Sequence, residues 1–158
     1  MAKKEEKTNV MRILDQRKIA HREYNYQPDG VPSGVECADI IGLPHEMVFK
    51  TLVTMGTKGR HYVFMVPVAQ ELNLKKAAKA AGDKNIALVP SKDLLELTGY
   101  IHGGCSPIGM KKYFPTFIDA SAEGLETIAF SAGKIGHQVE LTLADLRSVV
   151  KVESAELV

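Results

Sequence analysis

Two apolar runs, Met47 to Met55 (MVFKTLVTM) and His61 to Val68 (HYVFMVPV), flank Gly56-Thr57-Lys58-Gly59, and this arrangement constrains the chain more than any other feature. Both runs are rich in β-branched and aromatic residues, and a Gly-containing loop this short can only return the chain alongside itself. The spacing predicts an antiparallel hairpin. Helix signals surround it without a regular βαβ rhythm. Thr8 caps a predicted helix to about Lys18, with Val10, Ile13, Leu14 and Arg17 at helical spacing. Ser33-x-x-Glu36 reads as a capping box for a helix that stops at Gly42, ahead of Leu43-Pro44. Asn73 caps an Ala- and Lys-rich helix ending at Gly82, and Ser91 caps another to about Leu97.

Further strands are predicted over 20–26, 86–89, 116–120, 127–131 and 137–141. Gln27-Pro28-Asp29-Gly30 is a turn, Thr142-x-x-Asp145 opens a closing helix, and 150–152 reads as a last strand. Strands and helices thus intersperse irregularly. The fold class is α+β, with one mixed, mostly antiparallel sheet, partly barrel-like, surrounded by helices. With 158 residues, no repeat and no linker, residues 1–158 are expected to form a single domain.

Composition narrows the function. The start, Met1 to Lys7, is charged with no apolar stretch behind it, and no run approaches the ~18 apolar residues of a membrane span. Cytoplasm is the expected compartment, with no membrane partner. Cys37 and Cys105 form no C-x-x-C, which argues against a disulfide or a structural zinc site. His21, His45, His61, His102 and His137 show no metal-ligand spacing, so neither metal nor cofactor is expected. The net charge is only +1. A protein that grips many phosphates is usually far more basic, so a nucleic-acid substrate would be held by one end or with a partner's help; DNA is not expected.

Three places can carry chemistry. In a strand, Lys50 shares its face with Val48 and Leu52. Such a lysine can stabilise developing negative charge or hold a phosphate, or it can simply lay its stem on the sheet with its head in solvent. Gly103-Gly104-Cys105-Ser106-Pro107-Ile108-Gly109, followed by Lys111-Lys112, can turn several N–H groups toward one anion or serve as a tight connector. Ser131-Ala132-Gly133-Lys134-Ile135-Gly136 lies between two predicted strands and reads first as a hairpin turn. Cys105 is placed like a nucleophile but lacks a base assignable from sequence, and is read as a small loop side chain. Lys75, Lys76, Lys79 and Lys84 are read as a solvated helix face.

These segments resemble the YbaK/EbsC family in order and spacing from the first helix to about residue 145. Phe49-Lys50-Thr51-Leu52 resembles its aromatic-Lys-Thr-Leu strand, 103–109 with Lys111-Lys112 its GGxSPxG loop and basic pair, Pro115 to Asp119 its PTxID strand, and 131–136 its SGGKxG turn. The resemblance implies a domain of the kind that edits in prolyl-tRNA synthetases. It implies deacylation of mischarged aminoacyl-tRNA, foremost cysteine on the proline tRNA, by an attack from the substrate's own thiol. The aminoacyl-tRNA 3′ end is then the substrate and prolyl-tRNA synthetase a partner. Lys50 is implied as the catalytic residue. Tyr26, Ser33, Thr51, Gly103, Gly104, Ser106, Gly109, Ser131, Gly133, Gly136 and Gln138 are implied to bind substrate. The chain departs from the pattern at Ser33, where some members carry an aromatic residue, and at Ala132, Ile135 and Gln138, in place of Gly, Arg and Asp. Those departures bear on amino-acid preference. Alternatives are a deacylase for alanine or serine esters and a non-catalytic module for an adenosine-like or aminoacyl ligand.

Overall fold

The computed structural model describes residues 7–158; the start of the charged segment, residues 1–6, lies outside them. The predicted hairpin forms as β2 (Phe49–Met55) and β3 (His61–Pro67), in register from Phe49↔Pro67 to Met55↔His61. Its turn is tied down by Asp83, which accepts from the Thr57 N–H and hydroxyl and from the Tyr62 hydroxyl.

The apolar character of β3 has a simple cause, because it is the central strand. β2 pairs on one side and β5 (Thr116–Asp119) on the other, within the order β4-β2-β3-β5-β8. Here β4 is Ala87–Leu88 and β8 is Val152–Ala155. Tyr62, Phe64 and Val66 pack toward α3 (Leu74–Ala81), with Ala77, Ala78 and Phe117. Met65 joins the main core on the opposite face, with Phe49 and Ile118. Both faces of the strand are covered, so alternation gives way to a continuous apolar run.

The single mixed sheet expected from sequence is instead two. β1 (Arg22–Asn25), β7 (His137–Leu141) and β6 (Ile128–Ser131) form a separate antiparallel sheet. Among the described residues only an isolated bridge, Val48↔Ala129, links it to the larger one, and their strands close no barrel. Antiparallel pairings still dominate; β3–β5 and β5–β8 are the parallel ones. Between the sheets, α1 (Asn9–Gln16) and α5 (Leu143–Val149) seal the core through Val10, Met11, Leu14, Leu143 and Leu146.

Helix starts follow the sequence signals closely. Thr8 accepts from the Met11 N–H and Asn73 from those of Lys75 and Lys76. Ser33 and Glu36 form the reciprocal capping box of α2 (Gly34–Ile41). The exception is α4 (Ser91–Thr98): Pro90 is the cap residue, and Ser91 is the first helical residue rather than a cap. The closing strand also begins later than expected, at Val152, because α5 runs to Val149. No helix among the described residues is long and apolar enough to cross a membrane.

Candidate active site

Where β2 begins, the N-terminus of α2 and the 102–105 segment close around a cleft of about 180 Å³. Val48, Phe49, Lys50, Thr51 and Leu52 supply one wall. Direct cross-strand partners share a sheet face, so the Lys50↔Val66 and Leu52↔Phe64 pairs put Lys50 on the α3 side among apolar neighbours, as its strand position predicts. Its side chain is 26% exposed, and Nζ lies 3.6 Å from Oε1 of Glu71, a carboxylate that is almost wholly in solvent. That exposed pairing is weak and exchangeable, which leaves the ammonium available to an anion in the cleft.

Thr51 adds a second polar group. Its Oγ1 is buried and has no hydrogen-bond partner, the only such side-chain atom among the described residues. A buried hydroxyl left unsatisfied costs about 1–3 kcal/mol, so this one, in the cleft wall, has its hydrogen bond to offer to water or to a bound ligand.

The opposite wall is loop. Gly103 and Cys105 line the cleft, with Ser131 and Gln138 from the second sheet and Ser33 from the start of α2. Gly103 sits at φ +88, a left-handed conformation that a side chain resists. The Ser33 hydroxyl oxygen accepts from the Glu36 N–H, so its proton remains free to donate. Ser131 Oγ accepts from the Gly133 N–H at 3.2 Å.

Six of the residues singled out in the sequence do not line the cleft. Tyr26 stands behind the wall, where its hydroxyl accepts from Gln138 Nε2 at 3.4 Å and meets the Cys37 thiol. Burial, and then Cys37, raises the phenol well above its usual range, so Tyr26 acts as a neutral hydrogen-bonding group. Ser106 is fully buried, with its Oγ accepting from the Ile108 N–H inside its own loop. Gly104 lies against the backbone of Lys134 and Ile135, and Gly109 and Gly133 both lie against Tyr100. Gly136 abuts the carbonyl of Tyr26, and its own carbonyl accepts from the Tyr26 N–H. These six hold the walls in place. Asp119 likewise serves the fold, accepting from the Ser121 and Leu157 N–H groups.

Sequence reasoning missed Cys37, Leu94, Val68 and His102 as lining residues. Long-range packing brings them in, and no local pattern marks them. Cys105 does reach the cleft, but burial pushes its thiol up to about 12 while contact with Thr98 opposes the shift only in part. It is overwhelmingly protonated near neutrality and unsuited to nucleophilic attack. Among the described residues, no hydrogen-bonded pair of general base and nucleophile lines the cleft. The arrangement is one ammonium, one unpartnered hydroxyl and a loop wall, which suits stabilising an anionic centre on a ligand that brings its own reactive group.

Asp15, His21 and Glu23 are the only described residues grouped closely enough to hold a metal ion. Lys7 Nζ already bonds Asp15 at 2.7 Å and Glu23 at 3.2 Å there, away from the cleft.

Comparison with known proteins identifies the family. Residues 29–149 match the aminoacyl-tRNA editing domain family. The chain is 44% identical, over 99% of its length and 98% of the relative's, to EbsC of Enterococcus faecalis, which is described as a candidate Cys-tRNA(Pro)/Cys-tRNA(Cys) deacylase. It is 30% identical over 63% of its length to 17% of the proline–tRNA ligase of Fervidobacterium nodosum. A solved structure described as a candidate trans-editing enzyme for prolyl-tRNA synthetase superposes with a TM-score of 0.79 at 25% identity, covering 94% of this chain and 95% of that one.

Proposed function

Because this chain belongs to the aminoacyl-tRNA editing domain family, we propose that it deacylates mischarged tRNA, with cysteine on the proline tRNA as its principal substrate. The observation that carries this reading is the pairing of Lys50 with the unpartnered Thr51 hydroxyl in one small cleft that supplies no activated nucleophile. The aminoacyl ester and terminal adenosine occupy that cleft. The substrate thiolate forms a C–S bond to its own carbonyl carbon, and negative charge gathers on the carbonyl oxygen. Lys50 stabilises that oxyanion, while Thr51, on the other face of β2, hydrogen-bonds another part of the bound ester. Collapse breaks the ester C–O bond; the ribose oxygen leaves with the electron pair and takes a proton from water. The cyclic thioester so released is opened by water in solution. An intramolecular attack of this kind draws on ~7–11 kcal/mol of orientation advantage, which makes a protein nucleophile unnecessary.

The near-neutral charge of the chain, 20 basic against 19 acidic side chains, favours weak binding of the tRNA body. Selection of the tRNA then falls to a partner, and prolyl-tRNA synthetase is the partner proposed, since a stretch of such a ligase matches this chain.

Single-turnover deacylation of Cys-, Ser- and Ala-tRNA by one preparation tests the reading. A serine hydroxyl is far less ionised near neutrality than a thiol of pKa ~8.5, so binding should be similar for the two and turnover should strongly favour cysteine. Equal rates for Ala- and Cys-tRNA mean that water attacks, and the substrate-assisted step is then wrong. No turnover of any ester removes the deacylase reading altogether.

A further inference from the structure

A second cleft, of about 380 Å³, opens beyond the same loop that walls the first. Gly103 and Cys105 face the first cleft, and Pro107 and Gly109 face the second. Phe114 lines the second cleft while packing with Cys105 and Leu94 of the first, so one apolar cluster backs both. Its floor is apolar, with Phe114 and Pro107 buried. Its rim carries Lys112 and Lys151, both exposed, and no carboxylate occurs among the described residues that line it. In a chain whose charges nearly cancel, that is a local positive bias. Tyr113 stands 55% exposed at the rim and is fixed there by a hydrogen bond from its hydroxyl to the Lys151 carbonyl at 3.2 Å.

An exposed, anchored aromatic ring beside free ammonium groups is the chemistry of single-stranded nucleic-acid binding: the ring stacks on a base and the lysines meet phosphates. We infer that the cleft around Tyr113, Lys112 and Lys151 binds the single-stranded RNA immediately preceding the aminoacylated nucleotide. This rests on the deacylase reading for its occupant, because a strand whose 3′ ester sits in the first cleft carries its preceding nucleotides across the shared loop. The charge pattern favours RNA over a protein segment, since a peptide dock gains little from two unpaired lysines.

The experiment measures binding of an uncharged, fluorescein-labelled RNA oligonucleotide ending in CCA over a salt series. The probe carries no amino acid, so its result stands apart from that of the deacylation assay. Tyr113→Ala should weaken binding about tenfold and Tyr113→Phe should retain it, as expected of a stacked ring. Removing Lys112 and Lys151 together (K112A/K151A) should lower the slope of log affinity against log salt by about 1.4, from ~0.7 per phosphate contact on a single strand. Thermal unfolding verifies that the variants are folded, and the exposed lysine pair remains informative if Tyr113→Ala is not. No binding by the wild type at low salt, or unchanged affinity and slope in the folded variants, overturns the inference. Intact RNA binding with lost association to prolyl-tRNA synthetase also overturns it, and marks a protein dock.

Discussion

Along β2 the cleft is walled by side chains on a backbone locked into a ladder with β3, and β4 pairs only farther along, at Thr54 and Met55. Across from it the wall is loop, held by glycines that let one segment press on another. The strand wall places functional groups that differ from their neighbours only in chemistry: Lys50 and Thr51 can change while the ladder remains. The loop wall places shape: a side chain at Gly104 or Gly136 would meet backbone, and one at Gly103, Gly109 or Gly133 would meet a neighbouring side chain. On the proposed function, reactivity falls to the strand wall and geometry to the loop wall, and substitutions should separate them.

The largest separation is expected at Lys50. Lys50→Ala should lower single-turnover deacylation roughly 10²–10³-fold, the usual loss for one oxyanion-stabilising group. Its folding stability should hardly change, because the ion pair it forfeits, to Glu71 at 3.6 Å, is exposed and weak. Circular dichroism and thermal unfolding alongside the rate measurement check both halves. Near-wild-type turnover in a folded variant would remove Lys50 from the chemistry, and a collapsed fold would erase the distinction between the walls.

Gly136 should show the opposite pattern. It sits at φ +90, and an added Cβ would collide with the Tyr26 carbonyl oxygen, a backbone atom just past the end of β1. Gly136→Ala should cost about 1–3 kcal/mol in strain alone. For a chain of this size that lowers Tm by about 2–12 °C. Activity should fall as a consequence, because Tyr26 and Gln138 move together. Gly30 is the matched control: its φ is +68, but nothing lies within 4 Å of an added Cβ, so Gly30→Ala should cost markedly less. Equal losses at the two positions would show that backbone conformation, and not the close approach to Tyr26, sets the cost.

The same division explains what the sequence reveals. The β2–β3 hairpin, the Thr8, Ser33, Asn73 and Thr142 caps and the glycine helix ends are legible because each depends on residues only a few positions apart. The split into two sheets is not, because it depends on β1 finding β7 more than a hundred residues away. Ser91 is misread as a cap because Pro90 can take the cap position without a side-chain bond. In the site, Lys50 and Thr51 stand out as polar residues in an apolar strand. Cys37 and His102 reach the cleft only through tertiary packing. Gly109 and Gly133 resemble binding residues in sequence, yet both lie against Tyr100, since a glycine needed for a ligand and one needed for a neighbouring ring look the same in one dimension.

Cys105 is where the two walls come nearest to contradicting each other, a reactive residue type set in the loop wall. Its surroundings decide the matter. It is 7% exposed and packs with Val53, Val63, Leu94 and Phe114, and burial pushes its thiol up to about 12 from an ordinary value of 9.0. At neutral pH that leaves on the order of one thiolate in 10⁵. Cys105→Ala should therefore keep deacylation within about threefold of wild type and cost about 1 kcal/mol for the volume lost. The thiol also leaves a pH signature. Above pH 9 the unfolded chain releases the proton while the folded chain keeps it, so the unfolded state binds fewer protons and stability falls as pH rises from about 9 toward 12. Tyr100, raised to about 12 by burial, adds to that fall only above its own ordinary value of 10.0. Urea unfolding from pH 8 upward should accordingly separate wild type from Cys105→Ala first near pH 9, the variant being the flatter. A covalent acyl group trapped on Cys105, or a variant without activity, would transfer the nucleophile from substrate to protein and make the loop wall the reactive one.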